Sequence, residues 1–225
     1  MTALHLADEG EAADLAAFLS RLLHYDRSAA VRLQASGTTL AVFGRPPSFE
    51  VLAIRAVRLA KPYEDGLDVS LDRTVSAGEL LESLDEAAAT AAVPAAVTGP
   101  PWAGVLPPRG GWRPEPGLPA PEPLRALVAA AVTEFKARTQ ELAPERRIRT
   151  ELDRIGRDIW SRTVGESALP VRAVHAAQSL GFLRPGATGE VRLFSSGTWL
   201  RLRTAYGSIA VRQVTGIAAL GLSVR

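Results

Sequence analysis

Cysteine is missing from all 225 residues. Its absence removes disulfides, thiolate metal sites and cysteine nucleophiles together, and fits a reducing compartment. Histidine is scarce: His5, His24 and His175 stand far apart, and none has a second histidine at the i+4 spacing of a zinc helix. No serine sits in a G-x-S-x-G elbow, and neither a Walker glycine loop nor G-x-G-x-x-G occurs. Lysine is limited to Lys61 and Lys136, so 24 of the 26 basic residues are arginine. With abundant alanine, this reads as a GC-rich coding bias more than a phosphate-binding surface. The 24 acidic residues nearly balance the charge, which points to solvated faces. These absences point to a protein that is not an enzyme and needs no cofactor or metal.

Long apolar runs are also lacking. The longest uncharged run, Ala87 to Pro108, could span a bilayer by length, but Pro94, Pro100, Pro101, Pro107 and Pro108 forbid a continuous helix there. The N-terminus is acidic where a signal peptide would be basic and then apolar. The expected setting is the cytoplasm, with no membrane association.

What the chain does have is an echo. Val31 to Leu40 reads VRLQASGTTL and Val191 to Leu200 reads VRLFSSGTWL, identical at seven of ten positions. Each stretch follows an amphipathic helix. In the first, around Glu11 to His24, Leu15, Phe18, Leu19, Leu22 and Leu23 form one apolar stripe. The second helix, Pro170 to Leu180, stops at Gly181. The spacing predicts a hairpin in each half. The first runs from Val31 to Phe43 and from Phe49 to Leu59 around a GRPPS turn; the second runs from Val191 to Arg203 and from Ser208 to Gln213. Leu22 and Leu23 align with Phe182 and Leu183, and Ala53-Ile54-Arg55 with Ala210-Val211-Arg212 if the second turn is three residues shorter. The strand after GRPPS is apolar on both faces and should lie centrally, covered on both sides.

The elements between are clear in outline. Leu67 to Leu71 reads as a strand, and Ser76 to Glu79 as a capping box opening a helix that fades near Ala92. Ten of the sixteen prolines fall between Pro94 and Pro123, with Trp102 and Trp112 among them. That composition predicts an extended strap laid across the helices. Helices follow from about Pro121 to Leu142 and from Pro144 onward, the latter carrying Ile148, Leu152, Ile155 and Ile159. The expected fold is α+β: two similar helix–β-hairpin halves forming antiparallel sheet packed with helices, in a pseudo-twofold arrangement. Its parts are residues 1–93, a proline-rich strap at 94–123, and a helical and hairpin half at 124–225.

Three features invite a functional reading. Ser-Gly-Thr in both copies suits either a ligand loop or a strand bend. More strand follows the glycine where a phosphate cradle needs a helix, so the bend is preferred. The acidic group Glu64, Asp65, Asp68 and Asp72 lacks the ligand spacing of a calcium loop and reads as a polar turn. At strand period, Trp199, Arg201 and Arg203 share one face of the second hairpin, opposite Leu200 and Leu202. That Trp–Arg face is the candidate interaction surface, and a solvated structural face is the plainer alternative. The expected function is a regulatory or adaptor protein binding a protein partner, with a homodimer as one option. The alternative is a winged-helix DNA-binding regulator over residues 145–213, with Arg172, His175 and Gln178 on its recognition helix and Arg201 and Arg203 on its wing.

Overall fold

The computed structural model describes residues 3–63, 70–186 and 189–213. Among them, helices and strands mix and both sheets are antiparallel. The chain runs β1 (Ala3–His5), α1 (Glu9–Tyr25), β2 (Ala30–Ser36), β3 (Thr39–Gly44), β4 (Leu52–Arg58), β5 (Leu71–Ser76), α2 (Ala77–Glu82), β6 (Leu84–Asp85) and β7 (Thr90–Ala92). It continues through β8 (Arg113–Glu115), α3 (Pro121–Gln140), α4 (Arg149–Trp160), α5 (Val171–Ser179), β9 (Arg192–Ser196), β10 (Trp199–Arg203) and β11 (Ser208–Arg212). A small sheet has the order β1-β7-β6, and an eight-stranded sheet the order β5-β2-β3-β4-β11-β10-β9-β8. No helix of the described residues is long and apolar enough to cross a membrane.

The local signals account for most helix ends. Asp8 caps α1 by accepting the Glu11 amide at 2.9 Å, and Ala12, Leu15, Phe18, Leu19 and Leu22 form the buried stripe. Ser76 accepts the Glu79 amide at 3.3 Å and opens α2. That helix is a short one, because the chain after it turns back as β6 and β7 to cover α1 instead of fading toward Ala92. Pro121 stands in the first turn of α3. Pro144 starts only a turn of 3-10 helix, and α4 begins five residues later. Of its expected apolar stripe, Ile155 and Ile159 are buried whereas Ile148 is 55% exposed. Helix α5 closes with Gly181 at φ +75°; the Phe182 amide donates to the Ala177 carbonyl and the Gly181 amide to that of Gln178, a Schellman ending.

The two echoing segments differ from the expected hairpins in an instructive way. Ser36 pairs with Thr39 and Ser196 with Trp199, so Gly37-Thr38 and Gly197-Thr198 are themselves two-residue hairpin turns. Both glycines have φ +56°, the backbone that tight hairpins require at the first loop position. Ser-Gly-Thr is therefore a hairpin turn and not a bend within one strand. GRPPS lies beyond, in the β3–β4 connection. Each half is a helix followed by a three-stranded meander, β2-β3-β4 and β9-β10-β11.

Register corrects the alignment as well. Phe43 pairs with Ile54, and Arg203 with Ser208. Ten residues separate the first pair and four the second, so the second turn is six residues shorter, not three. Ala56-Val57-Arg58 thus corresponds to Ala210-Val211-Arg212. The meanders meet where β4 pairs with β11, and there Ile54 lies opposite Ser208, its own counterpart. The ladder is consequently symmetric about that pair. The helices match less well: Leu22 is inside α1, whereas Phe182 and Leu183 lie past the end of α5.

One face of the large sheet holds the main core. Val31, Leu33, Leu40, Val42, Ala53, Val57, Leu200, Leu202, Ile209 and Val211 meet α1 and α5 there. Arg55, 6% exposed, reaches Glu11 at 2.8 Å and Asp14 at 3.3 Å and donates to the Tyr206 carbonyl at 2.8 Å. Arg184 lies 3.9 Å over the Tyr206 ring and pairs with Asp14 at 2.7 Å, and Phe18 stacks on Phe182. These contacts tie the first half to the second across the shared sheet.

Candidate functional site

The opposite face of the sheet carries the residues left over by strand alternation. On β4 these include Leu52 and Ile54, on β3 Phe43, and on β11 Ala210, which form a second, smaller apolar cluster. The expectation that β4 is central and covered on both sides is thus met. Its second cover is the proline-rich segment. Trp102, Leu106 and Trp199 pack against this cluster, so the strap lies on the sheet and not on the helices as the sequence suggested.

Hydrogen bonds hold the strap at both ends. The Val97 amide donates to the Thr74 carbonyl at 2.9 Å, and Arg32, paired with Asp72 at 2.8 Å, donates to the Ala103 carbonyl. The Arg32 guanidinium holds the Asp72 carboxyl below its ordinary value. Of the acidic group, Asp72 is therefore an ion-pair residue, while Glu64, Asp65 and Asp68 lie outside the described residues. At the far end β8 pairs with β9, and Ser196 Oγ donates to the Gly110 carbonyl at 3.3 Å. Prolines suit this role because extended backbone needs few amide donors.

Beyond the apolar cluster the same face becomes basic and aromatic. Arg201 lies opposite Phe194 and Ala210, Arg203 opposite Arg192 and Ser208, and Trp199 opposite Arg212 and Ser196. In the first half the counterparts of Arg201 and Arg203 are Ala41 and Phe43, so the basic surface belongs to the second half alone. Trp112, half-buried, has its ring 5.7 Å from the Arg201 guanidinium carbon, and its indole donates to the Pro108 carbonyl at 3.0 Å.

Arg201 is the unusual member. It is half-buried, its Nε has no hydrogen-bond partner, and among the described residues it has no carboxylate within ion-pair distance. Burial, and then the neighbouring Arg203, lower its guanidinium from the ordinary value. Arginine stays charged nonetheless, so this is a desolvated cation without its counter-charge. Arg203 and Arg212 are exposed and also unpaired among the described residues. The nearby acids are occupied: Glu190 pairs with Arg192, and Glu115, in register with Leu193 and so on the other face of the sheet, accepts the Ser195 hydroxyl.

The winged-helix arrangement is not formed. Helix α5 packs on the main-core side with Val171, Ala173, Val174, Ala176 and Ala177 buried. Arg201 and Arg203 face the other side of the sheet, so one duplex could not meet both groups. His175 is stacked on Trp160 at 4.6 Å and edge-on to Phe49 at 5.1 Å; Arg172 is half-buried with its Nε unpartnered, and Gln178 is exposed alone. Periodicity found Trp199, Arg201 and Arg203. It missed Phe194, Arg212 and the approach of Trp112, although Arg212 follows from Trp199 once the return strand is set in its correct register. Among the described residues no group of three histidines or acids is placed to hold a metal ion.

Residues 1–104 match the family model described as Domain of unknown function (DUF8010), and residues 107–216 match Domain of unknown function (DUF8185). No curated protein matches the chain. Among solved structures, the chain is similar to the DNA polymerase sliding clamp from Pseudomonas aeruginosa at 16% identity and a TM-score of 0.48. The same clamp with a ligand gives 16% identity and a TM-score of 0.47. In each case 96% of this chain is covered, and the chain spans 65% of the clamp's length.

Proposed function

We propose that this is a non-catalytic regulatory or adaptor protein of the cytoplasm that binds another protein through the Trp199–Arg201–Arg203 face. The observation that carries the reading is Arg201, half-buried beside Trp112 with no counter-charge among the described residues. Isolating a cation from water is costly, and the cost is recovered when a carboxylate arrives from outside. Aromatic and arginine side chains together are also the composition of interface anchors. The three histidines stand apart, His175 between rings, which favours binding over acid–base chemistry. We read the two helix–meander units as an internal duplication, which their shared turn and symmetric register support.

The test is capture from native lysate by wild type and by the Arg201→Ala, Arg203→Ala double variant, each with and without nuclease. A protein retained after digestion by wild type and lost by the variant is the expected result. Loss of everything on digestion would assign the face to nucleic acid. Equal capture by both forms would move the interface elsewhere.

A further inference from the structure

The spacing of the unpaired cations specifies more than a charged patch. Trp199, Arg201 and Arg203 alternate along one strand and point to one face, so consecutive members stand roughly 6.7 Å apart, two strand rises. An extended peptide repeats its own side chains at that pitch. Resting on the adaptor reading above, we propose that the face takes an extended acidic segment of the form apolar-x-acid-x-acid. Its apolar residue packs at Trp199 and its two carboxylates pair with Arg201 and Arg203.

Three observations converge on that occupant. The first is charge complementarity: neither arginine has an acid partner among the described residues, and Arg201 is already largely removed from water, so a carboxylate there meets little competition. The second is the apolar anchor. Trp199 borders the cluster of Trp102 and Leu106, and Phe194 lies beside Arg201, giving the ligand's uncharged residue a partly buried seat. The third is pitch. On a helix, residues at i, i+4 and i+8 rise about 6 Å per step but rotate about 40° each time, so a helix matches two members of the row and turns away from the third. An extended chain matches all three.

A polyphosphate backbone fits less well. It carries charge at every residue, whereas the row has an uncharged member at Trp199, and beside its Arg203 end Arg192 already holds Glu190. A short segment with one apolar residue and two carboxylates matches the one uncharged and two charged members of the row.

Labelled synthetic peptides and the full chain supply the experiment, read by fluorescence anisotropy and by tryptophan emission. The probes are a peptide with acids two apart, isomers with acids one and four apart, an asparagine version, and an oligothymidylate of equal length. The peptide with acids two apart should bind about tenfold tighter than either isomer, consistent with losing one charge-assisted pair. Arg201→Ala and Arg203→Ala should each remove most of that preference, while Arg201→Lys retains part of it. Unchanged thermal melting of each variant verifies folding. Equal binding of all acidic isomers, still lost in the variants, would overturn the spacing and leave the adaptor reading standing. Failure of every peptide while a lysate partner still depends on Arg201 would overturn only the acidic segment. Tighter binding of the oligothymidylate than of any peptide would overturn both.

Discussion

At the residue scale, environment decides what each ionisable group contributes. His175 is stacked on Trp160 and edge-on to Phe49, and burial holds its pKa below the ordinary 6.5. The fold therefore favours neutral imidazole. Above the unfolded value both states are neutral and the histidine is without effect; as pH falls below 6.5 the unfolded chain takes the proton first and stability is lost. Thermal melting should drop between pH 6.5 and 5 more steeply in wild type than in His175→Phe, and parallel curves would exclude the effect. The sequence placed His175 mid-helix but could not tell a stacked ring from a groove-facing one, because Phe49 and Trp160 come from other elements.

At the element scale, the repeated turn makes a paired prediction. Gly37 and Gly197 share φ +56°, and a Cβ built on either meets nothing within 4 Å. Steric crowding is therefore excluded, and alanine at either position pays only for left-handed backbone, about 1–2 kcal/mol. Urea denaturation of Gly37→Ala and Gly197→Ala should give similar losses, with asparagine milder at both. Markedly unequal losses would mean that the turns are not equivalent. The echo in the sequence is the visible sign of this element but does not fix its form. A glycine between two apolar stretches is compatible with a bend or a turn, and only cross-strand pairing tells which.

At the scale of the whole molecule, the two halves share one sheet and one core. Arg55 connects α1, β4 and the β10–β11 turn; without it Glu11 keeps only Arg58 and Asp14 only Arg184, and the Tyr206 carbonyl loses its donor. Because both acids keep a second arginine, Arg55→Met should cost less than the about 3–5 kcal/mol of an unpaired buried charge and still give one unfolding transition, measured by urea titration. Two separated transitions would show halves that fold independently. The strap belongs to the same unit. Trp102→Ala uncovers Phe43, Leu52 and Ile54, and a loss of about 2–3 kcal/mol is expected for a half-buried indole. It should also speed proteolysis between Gly104 and Gly117, which stays slow in wild type if the strap is bound.

What the sequence determined by itself is what neighbouring residues settle among themselves. The stripe of α1, the end of α5 at Gly181, the alternation of Trp199, Arg201 and Arg203, and the doubled segment all follow from spacings of a few positions. Tertiary structure decided which surfaces meet. It set β4 against β11 with Ile54 opposite Ser208, laid the strap on the sheet, and put α5 and the arginines on opposite sides. Those outcomes depend on register and on sheet order, where a slip of one residue exchanges the two faces of a strand. The isolation of Arg201 is of that kind, since the missing counter-charge is a property of the surrounding strands and not of its own.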